Sequence, residues 1–505
     1  MSDGDRGIVV FSGGSAANSL VDVFEAVRAS KDDCELSYII PISDNGGSSS
    51  EIIRVFGGPG IGDVRSRLVR LIPSLPPSAE RDAISALFNR RLSEVSPTVA
   101  AAEWQDIVAG TSEHWRGIPP AKKELIRSFF NYLNLEVLKR SRPPTSTFDF
   151  SSASVGNLFL TGARLFSGSF ESAIYLLSSL CQIPDGQVKV IPNITSNFQH
   201  HIAAGLANGE VILGQNNISH PSEATSMDVP SPQPQPHSAT YVHGSRARQS
   251  LDGLVEDSYM PGTLAPLRQK NIRFSKDGEE DLPARIERIW YINPFGQEML
   301  PPANPRSIAA VKHAQAIIFS IGSLYTSIVP SIILHGVGEA LRQTKARHKI
   351  LILNGSLDRE VGPSSAPFTA FDFVEAIARA GEQSRGKPWP PMPDSPSSLA
   401  MLQPPITPTI SQDGLTILHA DPGRAVYREY VTHVIHLSGE GTPVVDQKCL
   451  ATVGIDCLKL YGRKSDTGKG MHYDAQALIG AIQAILGRKG EAMMASRSRR
   501  NTFDT

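Results

Sequence analysis

The chain has 505 residues, 49 Lys+Arg against 50 Asp+Glu, and a hydrophobic share of 40%. A net charge of −1 excludes the global basic field that draws a protein to nucleic acid or to an anionic membrane. No run reaches the roughly 18 apolar residues of a membrane span. The scattered cysteines Cys34, Cys181, Cys449 and Cys457 form no C-x-x-C pair, which argues against structural zinc and for reduced thiols.

Met1–Arg6 is short and polar and an apolar run follows at once, so the sequence predicts no signal peptide and a cytoplasmic protein. Gly7–Phe11 reads as a strand ending in Ser12-Gly13-Gly14-Ser15. Leu20, Val23, Phe24 and Val27 then repeat at helical spacing. Leu36–Ile42 is the next strand and ends in Ser43-Asp44-Asn45-Gly46-Gly47-Ser48. Strand, loop, helix and strand in this order predict a right-handed βαβ unit of a parallel sheet. Gly57–Asp63 is turn-rich, with Asp63 placed to cap a helix that buries Val64 and Leu68.

Residues 80–140 read as amphipathic helix with a stripe of Leu125, Phe129, Tyr132 and Leu133, ended by Pro143-Pro144. Two more helices are predicted at Val155–Phe166 and Phe170–Cys181, then a strand at Val188–Pro192. Asn208-Gly209 between His201–Ala207 and Glu210–Gln215 predicts a type I′ hairpin, so the sheet is expected to be mostly rather than wholly parallel. Strands follow at Arg285–Asn293, Ala316–Ile321, Lys349–Leu353, Thr432–Leu437 and Cys457–Tyr461, with a last helix at Asp474–Leu486. The expected organisation is one α/β domain over 1–490. It is interrupted by a helical insert at 76–148, a partly disordered Pro/Ser/Gln-rich insert at 218–283 and a Pro/Ser-rich insert at 383–412, and a basic tail follows at 488–505.

The recurring chemistry is a strand that ends in glycine, serine, asparagine and aspartate. Ligands of open α/β sheets bind beyond the carboxyl ends of the strands, where glycine admits close approach and free amides face an anion. Candidate phosphate contacts are Ser12, Gly13, Gly14 and Ser15; Asn45, Gly46, Gly47 and Ser48; Gly156 and Asn157; Gly322, Ser323, Tyr325, Thr326 and Ser327; and Asn354. Each has a plainer reading: a tight turn, a helix cap, or for Tyr325 a core ring. Asp44 can hold Mg²⁺, which takes one or two carboxylates plus substrate phosphates, or it can form an Asx-turn with its own backbone. Asp63 is a second candidate catalytic carboxylate, with helix capping as its alternative. Arg65 faces either phosphate or solvent. There is no Walker A sequence and no G-x-G-x-x-G, and no organic cofactor is expected. His200 and His201 are adjacent, so on a strand they point to opposite faces and do not share a metal.

GIVVFSGGSAANSL, ISDNGGSSS, GPGIGDVRSRLVRL, SVGNLFLTGA, ANGEVILGQNNIS and IIFSIGSLYTSIVPSIIL occur in an order that resembles the 2-phospho-L-lactate transferase family. Its sister group, the bacterial gluconeogenesis factors that bind uridine-diphospho-sugars, is similar too. GPGIGDVR and GSLYTS are closer to that second branch. The resemblance implies a Rossmann-like three-layer α/β/α fold with a nucleotide site at the strand ends. In the transferase branch it implies Mg²⁺-assisted attack of a hydroxyl on a nucleotide-diphospho-lactate, with release of nucleoside monophosphate. In the other branch it implies nucleotide-sugar binding without turnover. Asn45 stands where that branch carries a second acidic residue, and Ser12 where a glycine is usual.

Two readings follow. One is a transferase of phosphorus-containing groups, with Asp44 and Asp63 as catalytic residues and Mg²⁺ on Asp44. The other is a regulator that binds a nucleotide or nucleotide-sugar. A scaffold acting through the inserts is a third. Neither nucleic acid nor membrane is expected as a partner, and a homodimer is compatible with the sequence.

Overall fold

A computed structural model describes residues 7–143, 147–220, 263–268, 281–389, 422–465 and 470–487. Most of the inserts at 218–283 and 383–412, and the tail at 488–505, lie outside these residues. The strands are β1 (Gly7–Phe11), β2 (Glu35–Ile40), β3 (Val188–Pro192), β4 (His201–Leu206), β5 (Val211–Leu213), β6 (Ile286–Ile292) and β7 (Glu298–Met299). They continue as β8 (Ala314–Phe319), β9 (His348–Ile352), β10 (His433–Leu437), β11 (Asp456–Leu460), β12 (Gly462–Lys464) and β13 (Met471–Tyr473). The chain divides into two compact units. The first comprises 1–41, 184–195 and 300–505, the second 42–183 and 196–299.

The first unit is built on a seven-stranded sheet in the order β11-β10-β9-β8-β1-β2-β3, every pair parallel. Its central strands are apolar on both faces, as a sheet covered by helices on both sides requires: Ile8, Val9, Val10, Ile317 and Ile318 are all buried. Helices Val21–Ala29 and Ala475–Leu486 pack together, as do Pro305–Lys312, Val337–Gln343, Ala370–Ser384 and Pro422–Tyr430. The strand order runs outward from β1 in one direction and from β8 in the other. The topological switch point of a Rossmann-like sheet therefore falls between β1 and β8. Phe11 and Phe319 are register partners whose rings stack at 5.4 Å, so the last rung at the switch point is aromatic.

The second unit surrounds one buried helix, Val155–Ser167, in which every residue from Val155 to Arg164 is buried. Helices Ala79–Asn89, Pro97–Ala109 and Pro120–Arg140 of the 76–148 segment belong to this unit. Their aromatic residues join its core: Trp104 meets Phe130 at 5.1 Å and Phe150 at 5.5 Å, and Phe88 meets Phe159 at 5.1 Å. The buried stripe of Pro120–Arg140 is Ile126, Phe129, Phe130, Leu133 and Val137. Leu125, expected on that stripe, is exposed. The Asn208-Gly209 hairpin forms between β4 and β5, but in a separate four-stranded antiparallel sheet, β5-β4-β6-β7. The loop spans 207–209, closed by Leu206 and Glu210. Gly209 (φ 88°) but not Asn208 is left-handed, so the expected type I′ turn does not form. β4 pairs with β5 and β6, and the seven-stranded sheet is wholly parallel among the described residues.

Asp63 does not cap its helix. The helix begins at Gly62 with Ile61 in the cap position, and Asp63 lies in the first turn. There its charge faces the positive end of the helix dipole.

Candidate functional site

The predicted residues fall into two sets, one in each unit. In the first unit, the loop after β1 carries Ser12 to Ser15 and the loop after β8 carries Gly322 to Ser327, so both start at the switch point. Ser12 is fully buried and its amide donates to Ile39 O at 3.2 Å. Ser15 is exposed at the start of a short 3₁₀ turn, Ala16–Leu20. Gly322 has φ +137°, a conformation that favours glycine. It is held by a reciprocal pair with Asn354: the Gly322 amide donates to Asn354 Oδ1 at 2.8 Å, and Asn354 Nδ2 donates to Gly322 O at 3.0 Å. Asn354 is thereby a brace between the loops after β8 and β9.

Beyond Gly322 the chain makes one π-helical turn, Leu324–Ile328, a form often found near functional sites. Its first amides already have an anion. The Tyr325 and Thr326 amides donate to Glu360 Oε2 at 2.9 and 3.0 Å, and the Thr326 hydroxyl donates to Glu360 Oε1 at 2.5 Å. The Tyr325 ring is a core ring, edge-on to Phe368 at 6.1 Å, and burial pushes its hydroxyl pKa up. Ser323 bonds Asp358, whose carboxyl pKa is raised by burial against that bond. Two residues here escaped the sequence reading. Glu360 fills the helix start, and Ser320 at the end of β8 has a buried hydroxyl with no hydrogen-bond partner among the described residues. No spacing signal marks either one.

In the second unit the Asp44 loop is internally tied. Asp44 Oδ1 accepts the Gly46 amide at 3.1 Å, an Asx-turn, and Oδ2 accepts the Ser49 hydroxyl at 2.8 Å. Burial raises the Asp44 carboxyl pKa. The Gly46 and Ser49 hydrogen bonds and the charges of Arg65 and Arg91 oppose that rise. Gly47, with φ 52° and ψ −132°, starts the helix Ser48–Phe56 in a conformation open to little besides glycine. Asn45 Oδ1 accepts the Asn216 amide at 3.0 Å, which ties this loop to the segment after β5. Asn216 is a further residue that was missed: its Oδ1 is buried without a partner among the described residues.

Gly156 and Asn157 open the central helix. A Cβ at Gly156 would stand 2.6 Å from Phe88 O and 2.8 Å from Arg65 Cδ, so this glycine is needed for packing. Asn157 Nδ2 donates to Ser48 Oγ at 3.1 Å, and its Oδ1 accepts Arg65 Nε at 3.3 Å. Arg65 reaches Asn89 Oδ1 as well, at 3.4 Å, and is partly buried. Burial, then the charge of Arg91, lowers its pKa to about 10. Asp44, Asn45, Ser48, Arg65 and Asn157 thus form one hydrogen-bonded and electrostatically linked set with Asn216. Among the described residues, no three His, Cys, Asp or Glu side chains form a group that could hold a metal ion. No helix among them is long and apolar enough to cross a membrane.

Known proteins resemble this chain along most of its length. Residues 8–394 match the family model of 2-phospho-L-lactate transferase CofD. An uncharacterized protein of Saccharomyces cerevisiae is 42% identical over 384 residues, which is 74% of this chain and 83% of the yeast chain. The gluconeogenesis factor of Halalkalibacterium halodurans is 20% identical over 376 residues, 74% of this chain and 73% of that one. A crystal structure of a upf0052-family protein from Bacillus halodurans shares the fold at TM-score 0.53 and 16% identity, over 94% of this chain and 99% of its own. The chain belongs to the 2-phospho-L-lactate transferase CofD family.

Proposed function

We propose that this protein binds a nucleoside-diphosphate-linked ligand. The observation that carries the reading is the switch point between β1 and β8, from which two glycine- and hydroxyl-rich loops emerge next to the buried hydroxyl of Ser320, which has no partner among the described residues. Such a switch point is where open α/β sheets take nucleotides. Ser12, Gly13, Gly14, Ser15, Gly322, Ser323 and Ser327 are the residues proposed to face the ligand from the first unit. Within the second unit by itself, Asn45, Gly46, Gly47, Ser48 and Arg65 are proposed as a phosphate-binding set.

Mg²⁺ suits this donor set only as a metal shared with ligand phosphates. Asp44 offers one carboxylate whose oxygens each accept a single hydrogen bond, which leaves lone pairs for a cation, and magnesium commonly keeps one or two protein carboxylates beside phosphate and water. Bound there, Mg²⁺ would neutralise phosphate charge. In a transferase, Asp44 orients the ligand and Asp63 adds negative charge at the helix start. An acceptor hydroxyl forms the new P–O bond to the transferred group and loses its proton, and the broken anhydride bond releases nucleoside monophosphate. A second reading, a regulator that binds without turnover, is favoured by one observation. Both Asp44 oxygens are engaged by their own loop, so the carboxylate serves first as a brace.

The test is a thermal-shift screen with uridine, guanosine and adenosine diphosphate derivatives, with and without Mg²⁺. Binding raises the melting temperature by mass action. No shift with any of them overturns the proposal. Release of nucleoside monophosphate from the ligand that binds separates the transferase from the regulator.

A further inference from the structure

A second arginine is fixed beside the helix start whose Asn157 accepts from Arg65, and it comes from the helical segment that carries none of the family motifs. Arg91 lies between helices Ala79–Asn89 and Pro97–Ala109. The chain there pairs with the residues leading into the central helix. Leu92 donates to Ala153 O at 2.9 Å, Val155 donates to Arg90 O at 3.0 Å, and Arg91 bridges Ser154 in antiparallel fashion. This backbone pairing fixes Arg91 next to the helix start that also carries Asn157. Arg91 is exposed, and its Nη1 donates to Ser152 O at 3.2 Å.

The hydrogen bonds of both guanidiniums go to neutral oxygens: Asn157 Oδ1 and Asn89 Oδ1 for Arg65, Ser152 O for Arg91. The two charges act on each other and on Asp44. Burial and then the charge of Arg91 lower the Arg65 pKa, and the charges of Asp63 and Asp44 oppose them. The two like charges repel one another, and a shared anion reverses the sign of that interaction. The planar guanidinium fork matches two phosphate oxygens at once, which a lysine ammonium does not.

We infer that Arg65 and Arg91, both of the second unit, clamp one phosphate group, and that Arg91 is the contribution of the helical segment to its binding. The inference rests on the nucleoside-diphosphate reading for its ligand, but the clamp chemistry needs only the phosphate. Arg90 supplies an internal control. It is the next residue in the chain and equally charged, but it turns to Glu103 at 3.6 Å.

The experiment is isothermal titration of the full-length protein with pyrophosphate, beside the thermal-shift screen with nucleoside diphosphates. Arg91→Ala should weaken pyrophosphate binding by roughly 10-fold or more, the scale of one charge-assisted contact. Arg91→Lys should fall between the wild type and Arg91→Ala, and Arg90→Ala should stay near the wild type. Equal losses in Arg90→Ala and Arg91→Ala would reduce the effect to general charge and overturn the clamp. So would unchanged affinity in Arg91→Ala, or no pyrophosphate binding by the wild type. If nucleoside diphosphates still raise the melting temperature of the wild type, the functional reading survives that failure. If they do not, while pyrophosphate binding depends on Arg91, the clamp stands and the nucleotide reading falls. Arg91→Lys keeps the test open should Arg91→Ala fold poorly.

Discussion

The Thr326 hydroxyl donates to Glu360 Oε1 at 2.5 Å, while the amides of Tyr325 and Thr326 occupy the other carboxylate oxygen. A side chain of this protein therefore sits where a glycine- and hydroxyl-rich helix start would otherwise take a phosphate. The contacts proposed for a ligand at the loop after β8 are therefore Gly322, Ser323 and Ser327.

Glu360→Gln tests the brace. The amide matches the carboxylate in shape, but its NH₂ group must face a donor on one side or the other. Hydrogen bonds to charged groups contribute about 1.5–3 kcal/mol, and a buried donor left unmet adds its own penalty. The urea midpoint should drop with an unchanged slope, equivalent to about 2 kcal/mol. A change below about 0.5 kcal/mol, the range of ordinary surface substitutions, would show that Glu360 is not the anchor of this turn.

Gly62→Ala probes the Asp44 loop from outside. Alanine is the better helix former by about 1 kcal/mol, so at a first helical position the substitution should stabilise if nothing else intervenes. Here an added Cβ would stand 2.5 Å from Asp44 Oδ2 and 3.2 Å from Ser49 Oγ. The expected result is a lower melting temperature together with weaker ligand binding, because the carboxylate must move. A melting temperature above the wild type, with affinity retained, would mean that the Asp44 position has slack.

Histidines 200 and 201 give the pH dependence. Burial lowers both to about 4, with the His200 charge adding to the effect at His201. In the unfolded chain they protonate near 6.5. Between those values the unfolded state holds more protons than the folded one, so stability falls as pH drops from about 6.5 to about 4 and levels off below that. Each pKa unit corresponds to about 1.4 kcal/mol, so the loss is on the order of a few kcal/mol. The double variant His200→Phe, His201→Asn keeps a ring edge against Tyr291 and a polar group beside Gln199. Its urea midpoint should fall less between pH 7 and pH 4. Parallel decline of the two proteins would assign acid sensitivity to other groups.

The parallel strands were legible because each is a short apolar run closed by turn residues, and the Asn208-Gly209 turn announced its hairpin. The strand order was not legible, since nothing in Ala314–Phe319 says that it pairs with Gly7–Phe11 across some 300 intervening residues. The glycine and serine loops were found for the same reason as the strands. What their polar groups do was not legible, because the partners lie far away in sequence. Asn354 for Gly322, Asn216 for Asn45 and Glu360 for Thr326 are contacts made by folding. Arg91 was hidden most deeply. It sits in a segment whose helical periodicity reports packing around the central helix and carries no motif, so only the backbone pairing with Ser152 to Val155 reveals its neighbour.

Asp44→Asn separates the brace from the metal. Asparagine can still accept the Gly46 amide through Oδ1, and its NH₂ can donate to Ser49 Oγ once that hydroxyl turns to accept. The loop should keep its shape. Removing a charge that burial disfavours should leave the melting temperature equal or higher. What the variant loses is the negative charge that a divalent cation requires. Ligand binding without Mg²⁺ should therefore persist, while the additional stabilisation by Mg²⁺ disappears, read as the difference between thermal shifts with the metal and with chelator. If Mg²⁺ still strengthens binding to Asp44→Asn, the cation is held by other groups. Asp44 is then a structural residue of the loop, and the balance moves toward the regulator.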